Sequence, residues 1–176
     1  MENDSVAILK SKIEVTANIA DRLAYSVTKA AKLNLNSIGI EKLKNLSDEE
    51  MEVIDAYIFR YGSLISNIQD SLFKSIGALE QEPVSTMSNR DRTNLMERIG
   101  ALPSAGKFSG LAVLRNKLMH DYPEEMQRYL ERIHFITSEA PGLLKIFLGI
   151  VHYSRKFGID ISMDEFKHLV TVCPPE

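Results

Sequence analysis

The sequence has a single cysteine, Cys173, in 176 residues. No disulfide can close within the chain, and no thiolate zinc cluster can assemble in it. Cysteine used this sparingly suits a reducing compartment, so a cytoplasmic location is expected. The opening Met-Glu-Asn-Asp lacks the basic start and apolar run of a signal peptide. Long apolar runs are missing too. The longest, Leu143 to Val151, is interrupted by Lys145 and falls well short of the roughly 20 residues that span a bilayer. No His-x3-His pair supplies metal-ligand spacing, and His134, His152 and His168 read as surface or core histidines. Gly106 and Gly110 make no phosphate loop, because no Gly-Lys-Ser/Thr follows them. Ser104 and Ser109 have no histidine at a hydrolase spacing. Strand-like alternation is hard to find, and no internal repeat or low-complexity tract is evident.

What is present is helical periodicity in an ordinary globular composition, 44% hydrophobic and 26% charged. The length suits one domain, residues 1–176, with fraying expected at Met1 to Asp4 and Pro174 to Glu176. A first helix is expected over about Ser11 to Leu33, with a stripe of Ile13, Ala17, Ala20, Ala24, Val27 and Ala31. Ser47 and Glu50 form a capping box that opens a second helix, Asp48 to Glu80. At about 1.5 Å per residue it approaches roughly 50 Å. That is long for a small globule, so either Gly62 bends it or one end protrudes onto another subunit. Its Asp48, Glu49 and Glu50 read as helix-start acids. A turn over Pro83 to Ser88 precedes a short helix, Asn89 to Arg98, ended by a left-handed Gly100. A helix from Ala105 to Met119 follows, then one starting at Pro123 and running to Glu139, where Pro141 breaks or kinks it. An apolar segment, Leu143 to Phe157, and a small helix capped by Ser162 and Glu165 complete the chain. Tyr57, Tyr61, Phe73, Phe135 and Phe147 sit at helical spacing and are expected in the core or at subunit contacts. The fold expected is an all-α, antiparallel up-and-down helical bundle.

The net charge is −3, which by itself argues against a general nucleic-acid binder. Its distribution says more. Ser88 to His120 holds Arg90, Arg92, Arg98, Lys107, Arg115 and Lys117 against Asp91 and Glu97, a local excess of +4. Such a field can steer a phosphate-bearing ligand.

Within it stands Leu114-Arg115-Asn116-Lys117-Leu118-Met119-His120-Asp121-Tyr122-Pro123-Glu124. Cleaving RNA without a metal requires a proton taken from the 2′-hydroxyl, a proton given to the leaving 5′-oxygen, and stabilised phosphoryl oxygens. Histidine suits the proton transfers, arginine the phosphate, and a tyrosine hydroxyl can add a donor to a developing oxyanion. On a straight helix Arg115 and His120 stand roughly 140° apart. Pro123 pushes Tyr122 out of helical conformation, so the helix should be ending near His120. An extended His120-Asp121-Tyr122 segment then swings His120 towards Arg115 and sets Tyr122 beside it. One histidine does not readily serve as acid and base at once, and a two-fold dimer supplies a second copy of the set. Blander readings use the same residues. His120 can satisfy carbonyls at a helix C-terminus, Arg115 can pair with Asp121 or Glu124, and Tyr122 can simply pack on the bundle.

The string matches the Arg-x4-His-x-Tyr signature of HepT toxins, a branch of the HEPN group, with Asn116 in its polar position. The lead-in Met96-Glu97-Arg98-Ile99-Gly100-Ala101-Leu102-Pro103-Ser104 and the Tyr-Pro-Glu exit also resemble this family, over about residues 11–155. The segment 158–176 lies beyond that core as a short extra C-terminal helix. The resemblance implies a homodimeric bundle and a metal-independent endoribonuclease toxin of a type II/VII-like toxin–antitoxin system, with no cofactor. It also implies a nucleotidyltransferase antitoxin that adenylylates Tyr122. Arg115 would hold the scissile phosphate, His120 transfer protons, Asn116 orient them and Tyr122 assist, with Lys117, Lys107 and Arg98 as candidate RNA contacts. The alternative is a non-catalytic substrate- or partner-binding subunit of a minimal nucleotidyltransferase.

Overall fold

The computed structural model describes residues 2–120 and 125–174. Every regular element among them is helical: α1 (Glu2–Lys32), α2 (Ile40–Lys44), α3 (Asp48–Asn67), α4 (Phe73–Leu79), α5 (Asn89–Arg98), α6 (Ala105–His120), α7 (Met126–Ser154) and α8 (Lys167–Val172). A π-turn, Ile68–Leu72, joins α3 to α4, and a 3-10 turn, Arg155–Phe157, closes α7.

Local chemistry explains most of the boundaries. Ser47 accepts the Glu50 amide at 3.2 Å, and the Glu50 carboxylate accepts the Ser47 amide at 2.9 Å, the capping box expected. Ser88 and Asp91 form a second box, with aspartate where the usual pattern has glutamate or glutamine. Gly100 ends α5 at φ 80, a left-handed angle at which a side chain is strained.

Four differences from the helix boundaries and breaks expected over α1–α7 have physical causes. The first helix starts at Glu2, because the buried Leu9 and the partly buried Val6 carry the stripe about two turns N-terminal of Ile13. The short α2 within 33–46 has no counterpart in the sequence reading, because five residues carry too little periodicity. Gly62 sits inside α3, and the irregularity comes later, at the π-turn. Its five residues bury Ile68 and Leu72 completely. Pro141 does not break α7. The helix runs through it, with Ala140, Leu143 and Leu144 buried around it. That burial offsets the backbone hydrogen bond proline cannot donate. Pro123, expected in the first turn of that helix, lies outside the described residues.

The rod of α3, π-turn and α4 is about 48 Å long. It needs no second subunit to cover its length, because α1 runs beside it and is nearly as long. Lys12 donates to Ser75 at 2.8 Å, and Arg60 donates to Ser26 at 2.7 Å. As residue numbers rise on one helix they fall on the other, so α1 and the rod are antiparallel. The same logic makes α6 antiparallel to the rod, through Phe108 on Phe73 (ring centroids 5.2 Å apart) and Arg115 on Ser66. It makes α7 antiparallel to α6, through Arg132 on the Lys117 carbonyl at 3.2 Å and Lys107 beside Gly142.

Tyr57, Tyr61, Phe73, Phe108 and Phe147 are fully enclosed where these helices meet. Burial raises the Tyr57 and Tyr61 phenols well above the ordinary range. Phe135 is exposed instead. Met126–Phe157 is long and apolar enough, by length and composition alone, to cross a bilayer. The Leu143 run taken by itself does not show this, because proline is expected to divide the helix. Most of its apolar residues, Phe135 excepted, are instead packed against α1, α2, α3 and α6, as in a core helix.

The segment after Phe157 returns over the bundle. Gly158 turns the chain at φ 75. Ser162 and Glu165 do not cap α8. Ser162 bonds to Asp164, and the α8 amides of His168 and Leu169 donate to the Asp21 carboxylate at 2.8 and 2.9 Å. The cap therefore comes from α1. His168 also packs its ring on Tyr25, with centroids 4.9 Å apart. Between this segment and the C-terminal half of α7 lies a groove of about 1020 Å³, with Lys145, Leu148, His152, Met163 and Cys173 in its walls. Burial raises the Cys173 thiol pKa.

Candidate active site

α6 carries the chemistry-bearing string. Its inner face, Phe108 and Leu111, is buried. Arg115, one further turn along that face, emerges half-buried as the core ends. Its side chain is held from two sides. One guanidinium nitrogen donates to Asn116 Oδ1 at 2.7 Å, and the other donates to the Ser66 hydroxyl on α3. Asn116 thus fixes the orientation of Arg115, and a second helix braces it. The remaining guanidinium hydrogens form the fork that can meet an anion.

α6 continues to His120 as its final helical residue. The His120 side chain and all of Tyr122 lie outside the described residues, as do Asp121 and Glu124, the alternative partners of Arg115. Adding the ridge contacts together sets a register. Phe108 lies against Phe73 and Arg115 against Ser66, so the His120 backbone comes level with Tyr61.

The basic excess of 88–120 divides once it is folded. Arg92 is buried and serves its own loop, donating to the carbonyls of Val84 (3.3 Å) and Met87 (2.5 Å) and to Asn89. Arg98 pairs with Glu82 at 2.7 Å at the end of α5. Lys107 is exposed near Gly142 of α7, eight residues and therefore about 12 Å back along α6 from Arg115. Of the three candidate RNA contacts, Lys117 alone lies on the motif's own turns. Its carbonyl takes a hydrogen bond from Arg132, which brings a basic residue of α7 to the same end of the bundle.

Sequence reasoning missed Ser66 and Arg132. Neither lies within the motif, and only the α3–α6–α7 packing brings them to it. Tyr129 stands at the same end of the bundle, its hydroxyl pKa raised by burial and then by the Asp55 carboxylate. His134 is engaged elsewhere, its Nε2 at 2.9 Å from the Ile38 carbonyl. Among the described residues no three His, Cys, Asp or Glu side chains gather as a metal site. No family model, no curated protein and no solved structure matches this chain.

Proposed function

We propose that this protein is a metal-independent endoribonuclease, the toxin of a toxin–antitoxin pair, acting through Arg115, Asn116, His120 and Tyr122. The observation that supports the reading best is the bracing of Arg115. A half-buried guanidinium held by Asn116 and Ser66 has lost much of its rotamer freedom before any ligand arrives. An arginine fixed in this way suits a planar, two-pronged contact with a phosphodiester.

In the proposed reaction Arg115 neutralises the scissile phosphate, and the 2′-hydroxyl attacks phosphorus as His120 takes its proton. The 5′-oxygen leaves with a proton from a second donor, which leaves a 2′,3′-cyclic phosphate. Because the motif holds one histidine, the second donor is supplied by a second copy of the chain across a two-fold axis, so the active form is a homodimer. Tyr122 assists at the oxyanion and is the residue on which a nucleotidyltransferase antitoxin places AMP. The protein acts in the cytoplasm on RNA.

The test is cleavage of mixed RNA in the presence of EDTA by wild type and by His120→Ala, with folding followed by circular dichroism. Cleavage by wild type alone, ending in 2′,3′-cyclic phosphates, is the expected result. Loss of activity on chelation, equal cleavage of DNA, or an active His120→Ala overturns the mechanism.

A further inference from the structure

Phe59 is 66% exposed, more than any other large apolar side chain among the described residues. It lies on α3 between Tyr57 and Tyr61, which are both buried. Two helical positions turn the chain by about 200°, so Phe59 points away from the core that those tyrosines fill. Seven positions turn it almost full circle, so Phe59 and Ser66 share one face of α3 within about 20°, roughly 10 Å apart along the axis. Ser66 is the residue that holds Arg115. The antiparallel register also brings the last residue of α6 level with Tyr61, within a turn of Phe59. An aromatic face open to water therefore stands on the same side of α3 as the braced arginine, at about the spacing of a nucleotide or two.

We infer that Phe59 is a stacking platform for an unpaired nucleobase of the RNA whose phosphate Arg115 holds. This rests on the ribonuclease reading above and adds to it a substrate class, single-stranded RNA. Two features select a base as the occupant. A ring exposed beside a phosphate-binding group gains by covering its face with another flat, apolar surface, which every base provides. Asp55, exposed one turn before Phe59 on the same face, repels a phosphate at this position but not a neutral base. The backbone is thus directed to Arg115 and Lys117, with a base directed to Phe59.

The chain contains no tryptophan, so Phe59→Trp installs a single fluorescent reporter. Binding of a fluorescein-labelled eight-nucleotide mixed-sequence RNA is measured by anisotropy in a His120→Ala background, alongside an abasic ribose-phosphate oligomer and the sedimentation of each variant. Phe59→Ala should weaken RNA binding by about 10- to 100-fold and leave abasic binding unchanged. Phe59→Trp should bind at least as tightly as the parent, with its indole emission quenched on binding. Equal RNA affinity for the parent and the Phe59→Ala protein overturns the platform and leaves the ribonuclease reading standing. A Phe59→Ala protein that dissociates into monomers while keeping its affinity per site makes Phe59 a subunit contact instead, and also overturns the inference. A His120→Ala parent that does not bind RNA, together with a wild type that does not cleave it, removes the ribonuclease reading, and this inference falls with it.

Discussion

The Arg115 guanidinium donates to the hydroxyl of Ser66, forty-nine positions earlier in the chain. That contact joins α6 to the last turn of α3, immediately before the π-turn, and it fixes where the arginine points. Single π-turns recur at functional sites because the inserted residue re-aims the side chains beside it. Here the residue next to the turn is a brace and not a catalytic group. Ser66→Ala should therefore lower RNA cleavage about tenfold, the cost of one charge-assisted hydrogen bond, and chiefly in kcat. Ser66→Thr, which keeps a hydroxyl, should recover most of it. Arg115→Ala should abolish cleavage. Single-turnover rates of all three variants on one RNA check this, and a Thr variant as slow as the Ala variant speaks against a hydrogen-bonding role.

Control by adenylylation is expected at Tyr122. An attached AMP carries a negative phosphodiester that would compete for the Arg115 guanidinium with the RNA phosphate of the proposed reaction. Mass spectrometry after incubation with the cognate transferase and ATP should place AMP there. Tyr122→Phe should escape modification and keep part of its toxicity. A Phe variant silenced as fully as wild type would show that AMP acts elsewhere.

Gly77 on α4 tests the packing of the rod against the 83–88 turn. A Cβ at this position runs into the Val84 side chain, with Leu95 close behind. Gly to Ala in a helix normally gains about 0.5–1 kcal/mol, but overpacking costs about 1–3 kcal/mol, so the clash decides the sign. Gly77→Ala should lose stability and drop Tm by about 2–10 °C. Gly149→Ala, where nothing lies within 4 Å, should gain slightly. Thermal melts of both proteins give the comparison.

Glu80, at the end of α4, predicts a pH dependence. Lys156 and then the Tyr153 hydroxyl, donating at 2.6 Å, hold its carboxyl below the ordinary value. Its folded pKa is thus lower than its unfolded pKa of about 4.3. The stabilisation it provides is complete above the unfolded value and is lost as pH falls through the folded one. The site is close to the surface, so the effect is modest. Urea midpoints for wild type and Glu80→Gln should differ at pH 7 and converge towards pH 3. A gap that persists at pH 3 rules out this linkage.

The helical class, the Ser47 cap, the bounds of α5 and the Gly100 stop were all legible in the sequence. Each depends on residues within four positions of one another. The path of α7 through Pro141 was not legible, because burial against four other helices outweighs a local breaker. The mistaken Ser162 cap has the same origin. A local serine–acid pattern stood ready, but the α8 amides found Asp21, which is adjacent only after folding. At the candidate site the motif itself could be read along the chain. Ser66 and Arg132 could not, because no local rule relates α3 or α7 to positions on α6.

The Asp21 cap also sets an order of events. It joins residues 147 positions apart, which at about 5–20 residues per second takes about 7–30 s to synthesise. α1 therefore waits for its final covering, and Tyr25 lacks its His168 contact until α8 has been made. The motif on α6 is translated well before α8. A ribosome-bound chain can therefore display its Arg115 turn while the surface of α1 that α8 covers is still open.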